Sequence, residues 1–169
     1  MSDNEYRVKV TLSGDYACGK TAVAIRFSQS RFEHQYRPTL GVDFHLKRVE
    51  VPQGVAKILV FDTEGQERFS GLRKRYYQGA AGAIVLFDVT RRSSYSSLDR
   101  WIGELRSNTD DVLIIVCSNK VDLISEREVT SEEVQAFCEE RGLLNCETSA
   151  LTGEGIDEMF NHFVHLAFQ

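Results

Sequence analysis

The strongest constraint on this chain is the run Gly14-Asp15-Tyr16-Ala17-Cys18-Gly19-Lys20-Thr21. It directly follows the apolar, β-branched stretch Val8 to Leu12 and opens a helical pattern reaching about Ser30. It fits G-x-x-x-x-G-K-[ST] between a strand and a helix, the context in which that pattern is a phosphate loop. Its glycines let the backbone curl so that successive N–H groups and the helix N-terminus face phosphates. Lys20 supplies a point charge for the outer phosphates, and the Thr21 hydroxyl can ligate Mg²⁺.

The rest of the chain supplies the sheet that such a loop requires. Short apolar runs recur at Ile58 to Phe61, Ala83 to Phe87 and Val112 to Cys117, with a shorter one at Leu144 to Glu147, separated by longer stretches of helical pattern. That rhythm predicts βαβ units and a mostly parallel sheet covered by helices on both faces. Val42-Asp-Phe44-His-Leu46-Lys alternates with period two and leads through Pro52-Gln53-Gly54 into the next strand. This predicts an antiparallel hairpin at one edge. Helix starts fall at Gly19-Lys20-Thr21, at Ser93 (carrying Leu98, Trp101, Ile102 and Leu105), at Thr130-Ser131-Glu132-Glu133 and at Gly155-Ile156.

The 169 residues, 42% hydrophobic and 27% charged, fit one compact domain over residues 1–169, with no repeat, low-complexity tract or linker. A net charge of -5 gives no general electrostatic reason to bind nucleic acid or anionic lipid, so any phosphate site must be local. The four cysteines, Cys18, Cys117, Cys138 and Cys146, lack zinc spacing or a disulfide framework and suit a reducing, cytoplasmic compartment. No leader opens the chain, and no apolar run approaches the ~20 residues that would span a bilayer.

Three further elements stand at strand ends. In Asp62-Thr63-Glu64-Gly65-Gln66-Glu67, the Asp can hold magnesium through water and the Gly65 N–H can meet a terminal phosphate, while Gln66 would orient an attacking water. In Asn119-Lys120-Val121-Asp122, the carboxylate can accept from both N1 and the exocyclic amino group of guanine. Adenine lacks that donor pair and would leave the carboxylate unpaired. Ser149-Ala150-Leu151 can place a backbone N–H at the guanine oxygen.

With these residues in hand, the chain from Tyr6 to about Phe168 resembles the Ras superfamily of small GTPases, and more closely its Rab branch. The Rab-like stretches are Leu40-Gly41-Val42-Asp43-Phe44 after Thr39, Phe61-Asp62-Thr63, Glu67-Arg68-Phe69, Arg75-Tyr76-Tyr77-Gln78-Gly79-Ala80 and Leu86-Phe87-Asp88-Val89-Thr90. The resemblance implies an α/β P-loop NTPase G domain, a six-stranded mostly parallel sheet with one antiparallel edge strand and helices on both faces. It implies a GTP/GDP switch with Mg²⁺ held through Thr21, Thr39 and Asp62, and hydrolysis carried by Gln66, Lys20 and Gly65. The implied nucleotide contacts are Gly14, Tyr16, Ala17, Cys18, Gly19, Lys20, Thr21, Ala22, Phe32, Tyr36, Thr39, Gly65, Asn119, Lys120, Asp122, Leu123, Ser149, Ala150 and Leu151. Phe32 would pack edge-on against guanine, Tyr36 would close over the phosphates, and Asp62 to about Tyr77 would form switch II. Phe44, Phe61 and Tyr76 resemble the aromatic triad that meets effectors. Exchange factors and activating proteins would bind the switches, and the family's membrane contact, on the cytoplasmic face of an intracellular membrane, would need a C-terminal prenylated tail that this sequence does not carry.

Two residues depart from the family pattern. Glu64 stands where the family usually has Ala, either placing a carboxylate beside the expected γ-phosphate and magnesium or swinging out to solvent and straining switch II. Tyr16 stands where Ras has Gly and Rabs a small residue, crowding Gln66 and the path of an activator's arginine finger, which normally contributes ~10³–10⁵ in rate. Both imply retained guanine recognition with slow or defective hydrolysis. The competing reading is a pseudo-GTPase binding module locked in one nucleotide state; a P-loop kinase or ATPase is disfavoured by Asn119-Lys120-Val121-Asp122. Elsewhere, Arg68 with Arg73-Lys74-Arg75, the pair Arg91-Arg92 and the acidic pair Glu132-Glu133 read as solvated surface. Trp101 reads as core, and Cys18 as small apolar packing.

Overall fold

The computed structural model describes residues 4–32, 34, 42–63, 65 and 70–169. Tyr36, Thr39, Glu64 and Gln66, and with them Leu40, Gly41, Glu67, Arg68 and Phe69, lie outside the described residues.

Six strands, β1 (Glu5–Gly14), β2 (Val42–Val51), β3 (Gly54–Thr63), β4 (Gly82–Asp88), β5 (Leu113–Asn119) and β6 (Leu144–Thr148), form one sheet in the order β2-β3-β1-β4-β5-β6. All neighbours are parallel except β2 and β3, whose antiparallel hairpin sets Phe44 opposite Phe61. The helices are α1 (Lys20–Gln29), α2 (Ser70–Tyr77), α3 (Arg92–Ser96), α4 (Leu98–Asn108), α5 (Ser131–Arg141) and α6 (Ile156–Ala167).

Period-two alternation divides the core between the two faces. Val8, Val10 and Leu12 of β1 join Ile58, Val60, Ile84 and Leu86 beneath α1 and α6, where Phe27 stacks on Phe160 with ring centroids 3.8 Å apart. Ala83, Val85, Phe87, Ile114 and Val116 point the other way, against Leu98, Trp101, Ile102 and Leu105 of α4 and Val134 and Cys138 of α5. Strand β4 is buried along its whole length, as a central parallel strand covered on both faces must be.

Local chemistry explains the helix boundaries. Thr130 accepts from the Glu133 N–H, and the Glu133 carboxylate accepts from the Thr130 N–H, a reciprocal cap that starts α5. Glu133 is therefore a structural residue rather than plain surface. It also pairs with both terminal nitrogens of Arg92. The Arg92 guanidinium, followed by the Thr130 N–H, holds its carboxyl down to about 2. The helix expected from Ser93 through Leu105 is divided at Ser97 into α3 and α4. Ser96 and Ser97 each donate back to the carbonyl four residues earlier, at 3.2 and 3.0 Å, the contact by which serines bend helices.

The register determines where function can lie. Asp88 is level with Asn119, and Asn119 with Thr148, so the carboxyl ends of β4, β5 and β6 finish together. The strand order reverses at β1, whose end leads into the phosphate loop; crevices at such reversals are where open α/β sheets bind ligands.

Candidate functional site

The loop between β1 and α1 curls by placing Ala17 and Gly19 at positive φ, 64° and 103°. Lys20, only 6% exposed, folds over the loop and donates to the carbonyls of Gly14 and Asp15, each at 2.9 Å. Its Nζ is thereby held at the loop's centre, where a phosphate would meet it. Beside it the Thr21 hydroxyl donates to Asp62 Oδ2 at 2.5 Å, although the two residues are 41 apart in sequence. Two hard oxygen donors brought to one point, one of them a buried carboxylate, fit a divalent cation such as Mg²⁺.

Gly65 closes the phosphate end. A Cβ there would lie 2.7 Å from Lys20 Nζ, the Gly14 carbonyl oxygen and the Tyr16 nitrogen. Only glycine brings the backbone this close to the loop.

The base end is built on β5 and β6. Asn119 donates through Nδ2 to the Cys18 carbonyl at 3.1 Å and accepts from the Thr148 hydroxyl at 2.9 Å, so it ties the phosphate loop to β6. Lys120 donates to the Ala17 carbonyl at 3.1 Å and pairs with Asp88 at 2.8 Å. Burial alone would raise the Asp88 carboxyl, but Lys120 and two bonds from Thr90 outweigh it and hold it below the usual carboxylate range. Asp122 is oriented by the Ser149 hydroxyl at 2.7 Å. The Ser149 N–H is committed to the Glu154 carbonyl at 3.0 Å, which narrows the donors for a base oxygen to Ala150 and Leu151.

These residues surround one cavity of about 470 Å³. Tyr16, Ala17, Gly19, Lys20, Thr21, Ala22 and Gly65 line its phosphate side, and Phe32, Asn119, Lys120, Asp122, Leu123, Ala150 and Leu151 its base side. Gly14, Cys18, Asp62 and Ser149 support it from behind through the bonds given above. Cys18 is fully buried, and that burial pushes its thiol up, so it packs rather than reacts. Phe44, Phe61 and Tyr76 lie apart on the β2–β3 face, with centroid separations of 4.8, 6.1 and 6.3 Å. Phe44 is 60% exposed, and Phe61 is half-buried rather than core.

Four contributors were not evident from the sequence. Arg26 of α1 donates to the carbonyls of Ala150 and Leu151 at 2.8 and 2.7 Å, fixing the base loop. Arg91 donates to the Tyr16 carbonyl at 2.7 Å, so it is no idle surface charge. Asp15 accepts from the Trp101 indole N–H at 2.8 Å and from Arg100 at 3.1 Å. His34 lines the cavity beside Phe32. The partners in the three hydrogen-bonded cases lie 75 to 125 residues apart, beyond any local pattern. Arg73, expected as surface, is instead 2% exposed, bonded to Glu104 on α4 at 2.9 and 3.2 Å.

A phosphate loop at the strand reversal, with a carboxylate-bearing base pocket two strands away, makes this a nucleotide-binding α/β protein of the P-loop class. Comparison with known proteins places it within that class. Residues 9–169 match the Ras family. The Ras-related protein Rab-4 of Dictyostelium discoideum is 42% identical over 156 residues, covering 92% of this chain and 76% of its own. RABA1i of Arabidopsis thaliana is 38% identical over 94% of this chain and 73% of its own, and Rab11A of Lotus japonicus 36% over 92% and 70%. The chain belongs to the Ras family as a Rab-like small GTPase, a GTP-hydrolysing enzyme that binds guanine nucleotides.

Proposed function

We propose that residues 1–169 form a single G domain acting as a GTP/GDP switch in membrane trafficking, with hydrolysis slowed by Tyr16 and Glu64. The observation that carries this reading is the joining of phosphate loop and base pocket into one cavity, with Gly65 against Lys20. Nucleotide would lie with its phosphates on the loop from Gly14 to Thr21, its guanine between Phe32 and the 119–123 segment, and its base oxygen at the N–H of Ala150 or Leu151. Asp122 would accept from the base's N1 and amino group.

Thr21 and Asp62, with Thr39, would hold Mg²⁺, which when bound supplies charge for the transferring phosphoryl group. Lys20 stabilises the same charge from inside the loop, and the Gly65 N–H meets the γ-phosphate. Gln66 orients the attacking water, with Tyr36 closing over the phosphates. Tyr16 supports slow turnover because it lines the cavity's phosphate side, is 37% exposed, and has its backbone against Gly65. A bulky phenol there would crowd a water-orienting Gln66 and an activator's arginine.

In the GTP state the switches would recruit effectors through Phe44, Phe61 and Tyr76, with exchange and activating proteins acting at switches I and II. Membrane attachment would depend on a C-terminal prenylated tail, placing the protein on the cytoplasmic face of an intracellular membrane. The deciding experiment identifies the nucleotide released on denaturation, then repeats the assay after EDTA-assisted exchange with GTP. GDP that exchanges for GTP and slowly re-forms is expected. Uptake of GDP but never of GTP would point instead to a pseudo-GTPase module locked in one state.

A further inference from the structure

Arg73 of α2 carries a charge into the interior, and none of the nucleotide chemistry above uses it. Its Nη2 and Nε meet the two carboxylate oxygens of Glu104 in a fork, and the same carboxylate accepts the Tyr77 hydroxyl. Burial first, and then Glu104, push the Tyr77 hydroxyl up, so it remains a donor. The Arg73 guanidinium lies 4.5 Å over the Trp101 ring, a cation–π contact strengthened by exclusion of water. Trp101 then passes its only side-chain donor, the indole N–H, to the Asp15 carboxylate in the phosphate loop. The Asp15 main-chain carbonyl, in turn, is one of the two that hold Lys20.

These contacts close a circuit. From the loop, Gly65 abuts Lys20 and the Gly14 carbonyl, and five residues further along the chain α2 begins. From α2, Arg73 reaches Trp101, and Trp101 reaches Asp15, back in the loop. Burying a guanidinium is costly unless it is paired, so displacing α2 works against both the fork to Glu104 and the contact with Trp101. The fork and the aromatic contact thus tie the seat of α2 to Trp101 and, through it, to the phosphate loop.

We propose that Arg73 and Trp101 are positioning residues of the nucleotide site, coupling the placement of α2 to the phosphate loop through Asp15, so that nucleotide release and the seating of α2 are one event. This inference rests on the GTP/GDP switch reading.

Trp101 is the chain's one tryptophan, so its emission reports this junction directly. In the unaltered protein, replacing GDP by a non-hydrolysable GTP analogue is expected to change that emission. In Arg73→Met the change is expected to shrink at least about three-fold. Release of a fluorescent GDP analogue is expected to quicken about five-fold in Trp101→Phe, which keeps a smaller aromatic face and deletes the N–H, and by a similar factor in Arg73→Met. The double variant should release no faster than the faster single, because both break one path. Glu104→Gln removes the charge that pins Arg73 and should give the same readings where Arg73→Met does not accumulate as folded protein. Arg73→Lys, with a cation but no fork, should fall between.

Single effects that multiply in the double variant, or emission indifferent to nucleotide in the unaltered protein, would overturn the coupling while leaving the switch reading intact. A merely structural role for Arg73 would lower the melting temperature without either signature, and that result also overturns the proposal. A protein that binds no GDP at all would remove the switch reading and this inference with it.

Discussion

Asn119 Nδ2 lies 2.2 Å from where a Cβ on Gly19 would sit, so the base motif occupies the space that a side chain in the phosphate loop would need. The two motifs are interlocked rather than merely adjacent. Asn119 bonds the neighbouring Cys18 carbonyl, and Lys120 bonds that of Ala17. The loop's curl and the pocket's floor are therefore set by the same contacts.

Gly19→Ala should damage both ends at once. The residue holds φ 103°, a region unfavourable to a side chain, and the new methyl would displace Asn119. Strain and displacement together should cost about 2–4 kcal/mol. The melting temperature should fall by roughly 5–15 °C, and GDP affinity should fall with it. Calorimetry with and without GDP checks this; a variant that melts normally and still binds GDP would contradict the interlock.

Asp122→Asn should exchange base preference. Ser149 fixes the side chain at 2.7 Å, so the amide takes the carboxylate's place with little rearrangement. Guanine then meets an N–H₂ where its amino group needs an acceptor, while xanthine presents a carbonyl there. GDP affinity should fall by about 10²–10⁴ and xanthosine diphosphate should bind better than GDP. Unchanged GDP affinity, measured by competition against a fluorescent analogue, would remove Asp122 from the site.

Acid should loosen the loop through Asp88. Its carboxyl is held below the usual range in the folded protein, so its stabilisation is complete above the unfolded value, ~3.9, and is lost as pH falls toward and through the lower folded value. Protonation removes Lys120's partner at 2.8 Å, and Lys120 is what holds the Ala17 carbonyl. GDP release should therefore accelerate below about pH 4. Asp88→Asn should release GDP faster at neutral pH and lose this share of the acid limb. Release rates from pH 7 downward, compared between the two proteins, separate it from other carboxylates such as Glu133.

The parts legible in the sequence are those where chemistry dictates residue type at fixed spacing. The phosphate loop, Asp62, the 119–122 segment and the 149–151 segment each announce themselves at a strand end. The alternation of Val42 to Lys47 and the turn at Pro52-Gln53-Gly54 likewise foretell the edge hairpin. Helix α2 was invisible to the same reasoning because its buried face is Arg73 and Tyr77, one turn apart, an ion and a phenol where an apolar stripe would signal packing. A buried arginine is recognisable only once Glu104, 31 residues away, is placed opposite it. Arg26 and Arg91 were missed for the same reason, since the carbonyls they hold belong to distant turns. The triad of Phe44, Phe61 and Tyr76 follows from the family resemblance; periodicity alone shows only that Phe44 and Phe61 lie on strands.

Reversing both departures should quicken hydrolysis. Tyr16 lines the phosphate side of the cavity, its carbonyl is held by Arg91, and its nitrogen lies 2.7 Å from a Cβ position on Gly65. The Tyr16 side chain therefore springs from the point where the phosphate loop meets Gly65. Tyr16→Ser frees that space without altering the backbone bonds, and Glu64→Ala removes a carboxylate next in sequence to Gly65, the residue proposed to meet the γ-phosphate. Like unit charges ~4 Å apart repel by about 4 kcal/mol at a surface-like dielectric, which sets the scale of what a carboxylate beside the γ-phosphate can oppose. Single-turnover GTP cleavage by the double variant should be faster by about ten-fold or more, while GDP affinity changes little. Cleavage that is unchanged or slower would mean that neither side chain obstructs the attacking water.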